Sequence, residues 1–145
     1  MPGDVDLDRA KATEARARYR TEGLVSIPSD PRIEQALGVG ERLVARRSDV
    51  CLDRRDAERG REPFGDLFVT SERILLIGPT TVSIPLEEIG EAALLGDRLV
   101  LLLRGGTAVA IRADRPRLLR VQISAARVAL ERAAAARTAG QLSPR

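Results

Sequence analysis

The sequence predicts a mainly antiparallel β protein: about seven strands in a barrel or sandwich, closed by a long C-terminal α-helix and preceded by one or two helices. Three observations carry this. Short apolar runs, alternating or β-branched, recur between Glu41 and Arg112 and are separated by reversals rich in glycine and polar residues. A helical apolar periodicity replaces them after Asp114. An apolar fraction of 43% in 145 residues is enough for one compact core, and with two Phe, one Tyr and no Trp that core must be aliphatic.

The elements follow in chain order. Asp4 to Glu22 reads as a helix, with acidic residues at its start, good helix formers within it and Gly23 at its end. Leu7, Ala10, Ala17 and Tyr19 give it little to bury, so it is expected as a solvated appendage rather than a partner-binding helix. Pro28 and Pro31 bracket a linker. Asp30-Pro31 opens a short helix through Leu37, ending at Gly38, with Ile33 and Leu37 facing an edge or an open end of the sheet. Glu41 to Asp53 is the first strand, and its broken alternation calls for a bulge near Ser48. A charged loop, Asp53 to Pro63, leads to the hairpin around Thr70-Ser71-Glu72-Arg73. Thr81 to Ile84 is a further strand stopped by Pro85, which has no amide hydrogen for a ladder and belongs at a strand end or edge. Glu91 to Leu95, Leu99 to Arg104 and Thr107 to Arg112 complete the set, with reversals at Gly96-Asp97 and Gly105-Gly106.

The last helix runs from about Arg115 to Arg137, with Pro116 in its first turn and Gly140 past its end. At about 100° per residue, Leu119, Ile123, Ala126 and Leu130 form one apolar stripe, and Leu118, Val121, Ala125 and Val128 a second. That is wider than capping a small sheet requires. The second stripe is the candidate helix-mediated interface, covered either by the N-terminal segments or by a second copy of the chain; intramolecular cover is favoured because large exposed apolar patches are uncommon in monomers. The chain therefore divides into a helical extension and linker (1–37), one domain (38–137) and a flexible tail (138–145).

The pattern Gly65-x-Leu67-x-Val69-Thr70-x-x-Arg73-Ile74-x-x-x-Gly78, followed by Ser83-Ile84-Pro85-Leu86-x-x-Ile89, resembles the second to fourth strands of GRAM-like and bacterial pleckstrin-homology-like domains. With the flanking strands and last helix, the resemblance covers roughly Leu37 to Arg132. It implies a β structure capped by a helix, and a fold whose members mostly bind. Phosphoinositide-binding relatives grip phosphates with basic residues of the first-to-second strand loop, so the resemblance makes Arg46, Arg47, Arg54, Arg55, Arg59 and Arg61 candidate contacts for an anionic lipid. Asp53, Asp56, Glu58 and Glu62 stand among them, and internal ion pairing or solvation is the stronger reading.

Catalytic equipment is sparse. There is no histidine, and Cys51 sits within an apolar run where a cysteine is usually a small buried hydrophobe. Glu87 and Glu88 are adjacent and would point apart rather than converge. Gly38-Val39-Gly40 lacks the third glycine of a dinucleotide site and precedes a strand. No catalytic, cofactor-binding or metal-binding residue is therefore assigned, and no cofactor is expected. The net charge is only +3, with Lys11 the one lysine among 24 basic residues, and aromatic faces are too few for a single-strand platform, so nucleic acid is not expected as a partner. One cysteine and no signal-like or membrane-length apolar run lead to the expectation of a cytoplasmic protein, peripheral membrane contact remaining open. The expected function is a non-catalytic interaction module that binds a protein partner or associates with itself through helix surfaces. The alternative is a peripheral adaptor binding anionic lipid headgroups.

Overall fold

The computed structural model describes residues 2–54 and 63–142. Its elements are helix α1 (Pro2–Glu22), a one-turn helix α2 (Pro31–Glu34), strands β1 (Leu43–Arg54), β2 (Phe64–Thr70), β3 (Arg73–Ile77), β4 (Val82–Pro85), β5 (Ile89–Leu95), β6 (Arg98–Leu103) and β7 (Ala108–Arg112), and helix α3 (Pro116–Leu142). A 3₁₀ turn, Leu86–Glu88, links β4 to β5.

The seven strands form one antiparallel sheet in the order β4-β3-β2-β1-β7-β6-β5. It does not close, because β4 and β5 remain separate edges, so the arrangement is a folded-over sandwich rather than a barrel. Strand β1 makes the fold-over. Its stretch from Leu43 to Cys51 pairs with β2, while Cys51 to Arg54 pairs with β7. Between these the register slips from Arg47 to Val50, and Asp49 takes a left-handed φ of +55°. This is the bulge expected near Ser48, and it bends the strand from one half of the sandwich to the other. Pro85 ends the edge strand β4, where no further ladder partner needs its missing amide hydrogen.

Side-chain alternation then sorts the sheet into two faces. Leu52, Leu67, Leu76, Ile89, Leu99, Leu101 and Ile111 turn inward and are fully buried. Into this core α3 inserts its first predicted stripe: Leu119, Ile123 and Ala126 are fully buried and Leu130 packs beside them. Burying each large aliphatic side chain contributes roughly 1.5–3 kcal/mol, so this stripe holds α3 across the sandwich. Leu43, Phe68 and Leu75 point to the opposite face, where Ile33 of α2 and Leu37 cover them. The short helix thus lies on an outer face of the sheet, not at an open end, and is only one turn long, continuing as a turn toward Gly38.

Two expectations about helices need correction. The apolar-poor α1 is not a solvated appendage but packs along α3. Its attachment is polar as well as apolar: the buried Asp8 carboxylate accepts the amide hydrogens of Arg117 and Leu118, both at 3.0 Å. Those amides belong to the first turn of α3, which has no partners within its own helix. A residue over a hundred positions away therefore caps α3, whereas Asp114, the neighbouring acid in sequence, remains exposed. In addition, α3 runs through Gly140 to Leu142 instead of stopping at Arg137, because the alanine-rich segment is a strong helix former.

The residues from Thr70 to Arg73 hold the hairpin. The Thr70 hydroxyl accepts the amides of Glu72 (3.1 Å) and Arg73 (2.9 Å), fixing the β2–β3 reversal, and donates to Glu41 at 2.6 Å. Arg73 Nε donates to the same Glu41 carboxylate at 2.9 Å. Gly65 and Gly78 face each other across the other end of this hairpin, where a β-carbon on either would overlap the partner strand's carbonyl.

Candidate functional site

Of the six candidate lipid contacts, Arg55, Arg59 and Arg61 lie outside the described residues, and Arg54 is described only as the last backbone position of β1. Arg46 donates to Asp30 at 2.7 Å. Asp30 also accepts from the Arg32 side chain and backbone amide, and these bonds, led by the Arg32 guanidinium, hold its carboxyl far below the usual carboxylate range. Arg32 continues to Asp66 and lies 5.2 Å over the Phe68 ring. Arg47 is bound between elements: Nε donates to the Asp114 carbonyl at 3.0 Å and Nη2 to Gln122 of α3 at 2.8 Å. Burial and then the neighbouring Arg115 lower its pKa, against the opposing pull of Asp8, Asp114 and Tyr19. Both arginines thus serve internal contacts, Arg46 at the α2 cap and Arg47 at the junction of β1 with α3.

Carboxylates are committed similarly. Glu41 is buried; burial opposes its ionisation, but bonds from Arg73, Thr70 and the Gly38 amide outweigh this and leave its pKa below the ordinary value. Glu87 and Glu88 are exposed on the 3₁₀ turn that links β4 to β5. Cys51 is half-buried on β1 between Phe64 and Arg112. At β5, Arg127 Nη2 donates to the carbonyls of Ile89 (2.8 Å) and Gly90 (3.1 Å), tying α3 to the start of that strand.

The second α3 stripe behaves differently along its length. Leu118 and Val121 are buried where α1 packs, Ala125 is half-buried, and Val128 is 43% exposed. Alongside the last turns of α1 and the following Gly23 and Leu24, this leaves a groove of about 380 Å³ between the two helices. Leu24, Val121, Ala125, Val128 and Ala129 supply its apolar lining, while Arg16 and Arg20 of α1 and Arg120 and Arg132 of α3 line it with charge. All four arginines are exposed, and among the described residues none of them makes an ion pair and no carboxylate lines the groove. Tyr19 also lines it, half-buried, with its hydroxyl pKa raised by burial against the opposing charges of Arg18 and Arg47.

The stripe was visible in the sequence, but Arg16, Tyr19, Arg20, Leu24, Arg120 and Arg132 were not recognised as part of one surface. The signal was partial. Arg132 lies at the next position of the 121, 125, 128 stripe, and Arg16 and Arg20 are one helical turn apart, but joining them requires the docking of α1 through Asp8.

No protein-family model matches the sequence, and no curated protein matches it significantly. Among solved structures, the Vps36 N-terminal PH domain superposes with a TM-score of 0.55 at 18% identity, covering 66% of this chain and 86% of that one. The fold is pleckstrin-homology-like. A second match, the C-terminal domain of an unknown protein from Leishmania infantum, has a TM-score of 0.42 at 16% identity and covers 63% of this chain and 85% of the other. In terms of the pleckstrin-homology-like fold, α3 is the helix that caps the sandwich, and the groove lies on the side of that helix turned away from the sheet core.

Proposed function

We propose that this chain is a non-catalytic interaction module of the pleckstrin-homology-like class, and that it docks a protein partner in the groove between α1 and α3. The observation that carries the reading is the graded exposure of one apolar stripe: Leu118 and Val121 are buried where α1 packs, Ala125 is half-buried and Val128 is exposed, leaving an apolar floor between the two helices. Helix-lined apolar grooves receive side chains of a partner helix. The narrower GRAM-like affinity rests on the Gly65 to Ile89 pattern and belongs to the same proposal, as does a cytoplasmic setting, which a single cysteine suits. Engagement of Arg46 and Arg47 within the protein weighs against the anionic-lipid alternative.

A photoreactive amino acid placed at position 128, and separately at exposed Leu102 on β6, tests this in the source cell. The reading expects a discrete cross-linked protein from position 128 and none from position 102. No adduct from position 128, or the same adducts from both, would overturn it.

A further inference from the structure

The charges of the groove define the chemistry of what it receives. Helix α3 carries five arginines, Arg117, Arg120, Arg127, Arg132 and Arg137, against the single Glu131, whereas the whole chain is only +3. In α1 the acids Asp4, Asp6 and Asp8 stand in the first half with Arg9 and Lys11, and the second half carries Arg16, Arg18 and Arg20 against Glu14 and Glu22; of these only Arg16 and Arg20 line the groove. Glu22 is paired with Arg18 at 2.7 Å. Positive charge is thus concentrated beside an apolar floor in a molecule that is otherwise nearly balanced.

The spacing separates a peptide from a headgroup. Arg120 and Arg132 stand at opposite ends of the groove's α3 wall, roughly 18 Å apart at 1.5 Å per residue, with Val121, Ala125 and Val128 between them. A single phosphate would meet one end of such a row. A helix presenting an apolar stripe flanked by carboxylates would meet all of it. We propose that the groove receives an acidic amphipathic helix of a partner protein, its aliphatic side chains on Val128 and Ala125 and its carboxylates on Arg16, Arg20, Arg120 and Arg132. This rests on the docking reading above and adds the chemistry of the partner.

The test uses a fluorescent helical probe of about 18 residues, with Leu at i, i+3 and i+4 spacing flanked by Glu, titrated against the intact protein. Its companions are a scrambled peptide of the same composition and a Lys-for-Glu version. Binding should weaken about tenfold or more on scrambling, on raising salt and in the Arg120→Glu/Arg132→Glu variant, and that variant should prefer the Lys-for-Glu probe. Both substituted positions are exposed, and retention of the native melting profile verifies the fold. Equal binding of the scrambled peptide, no binding at low salt, or indifference to the arginine reversals would overturn the proposal. So would phosphatidylglycerol vesicle binding lost in the same variant, which would make the occupant a membrane. A dimer dispersed by Val128→Arg in sedimentation would make it a second copy and overturn the proposal equally. If the probe fails while position 128 still yields its discrete cross-linked protein, the charge argument falls and the docking reading stands.

Discussion

Asp8 shows how one side chain joins the ends of the chain. It satisfies two amides of α3 that the helix itself leaves open, and such capping contributes about 0.5–2 kcal/mol. Asp8→Ala should therefore lower stability in urea by about 1–2 kcal/mol, whereas Asp114→Ala should change it by less than about 0.5 kcal/mol. Equal losses would return the cap to the acid beside the helix. Glu41 makes a pH prediction. Its folded pKa lies below the ordinary 4.5, so its contribution is complete above that value and is lost as pH falls through the lowered one. Glu41→Gln should be less stable at neutral pH and should show a shallower loss of stability in acid; an unchanged acid slope would contradict the role assigned to the Glu41–Arg73–Thr70 network. Asp30, with its strongly depressed pKa, acts in the same direction and should supply part of the slope that remains. The Thr-x-x-Arg signature was legible in the sequence as a turn. Its link to Glu41 was not, since 29 residues separate Thr70 from that carboxylate and only the folded register brings them together.

At the scale of elements, α3 could be read well and α1 poorly. The two stripes of α3 follow from helical geometry, and the sandwich buries the one formed by Leu119, Ile123, Ala126 and Leu130. The chain's own N-terminal helix was one of two covers considered for the other stripe. It takes the first half and leaves Val128 open. Because α1 attaches through an aspartate and the buried Ala12 rather than a row of large side chains, its apolar periodicity carried almost no signal. The β1 bulge was legible because a strand that must bury one face cannot tolerate the run Arg46 to Val50 without a slip. Removing α1 in a chain that begins at Ser29 should cost roughly 2–4 kcal/mol, from the lost cap and the uncovered Leu118 and Val121. It should also increase self-association in sedimentation. A truncated chain that stays monomeric with unchanged stability would show that α1 covers nothing of consequence.

For the whole molecule, strand number, antiparallel pairing and the terminal helix all followed from short apolar runs and turn residues. Closure did not. Whether β4 meets β5 depends on how far β1 bends, which no local pattern specifies, and the two edges stay apart. The likeness to a solved pleckstrin-homology domain at 18% identity supports the fold alone, so the functional account stands on the groove that two distant helices build together. The most direct measurement is hydrogen–deuterium exchange of the intact protein with and without the partner cross-linked from position 128. The account predicts added protection centred on residues 16–24 and 120–132, with the sheet edges β4 and β5 unchanged. Protection confined to a sheet edge, with both helix segments exchanging as before, would contradict it.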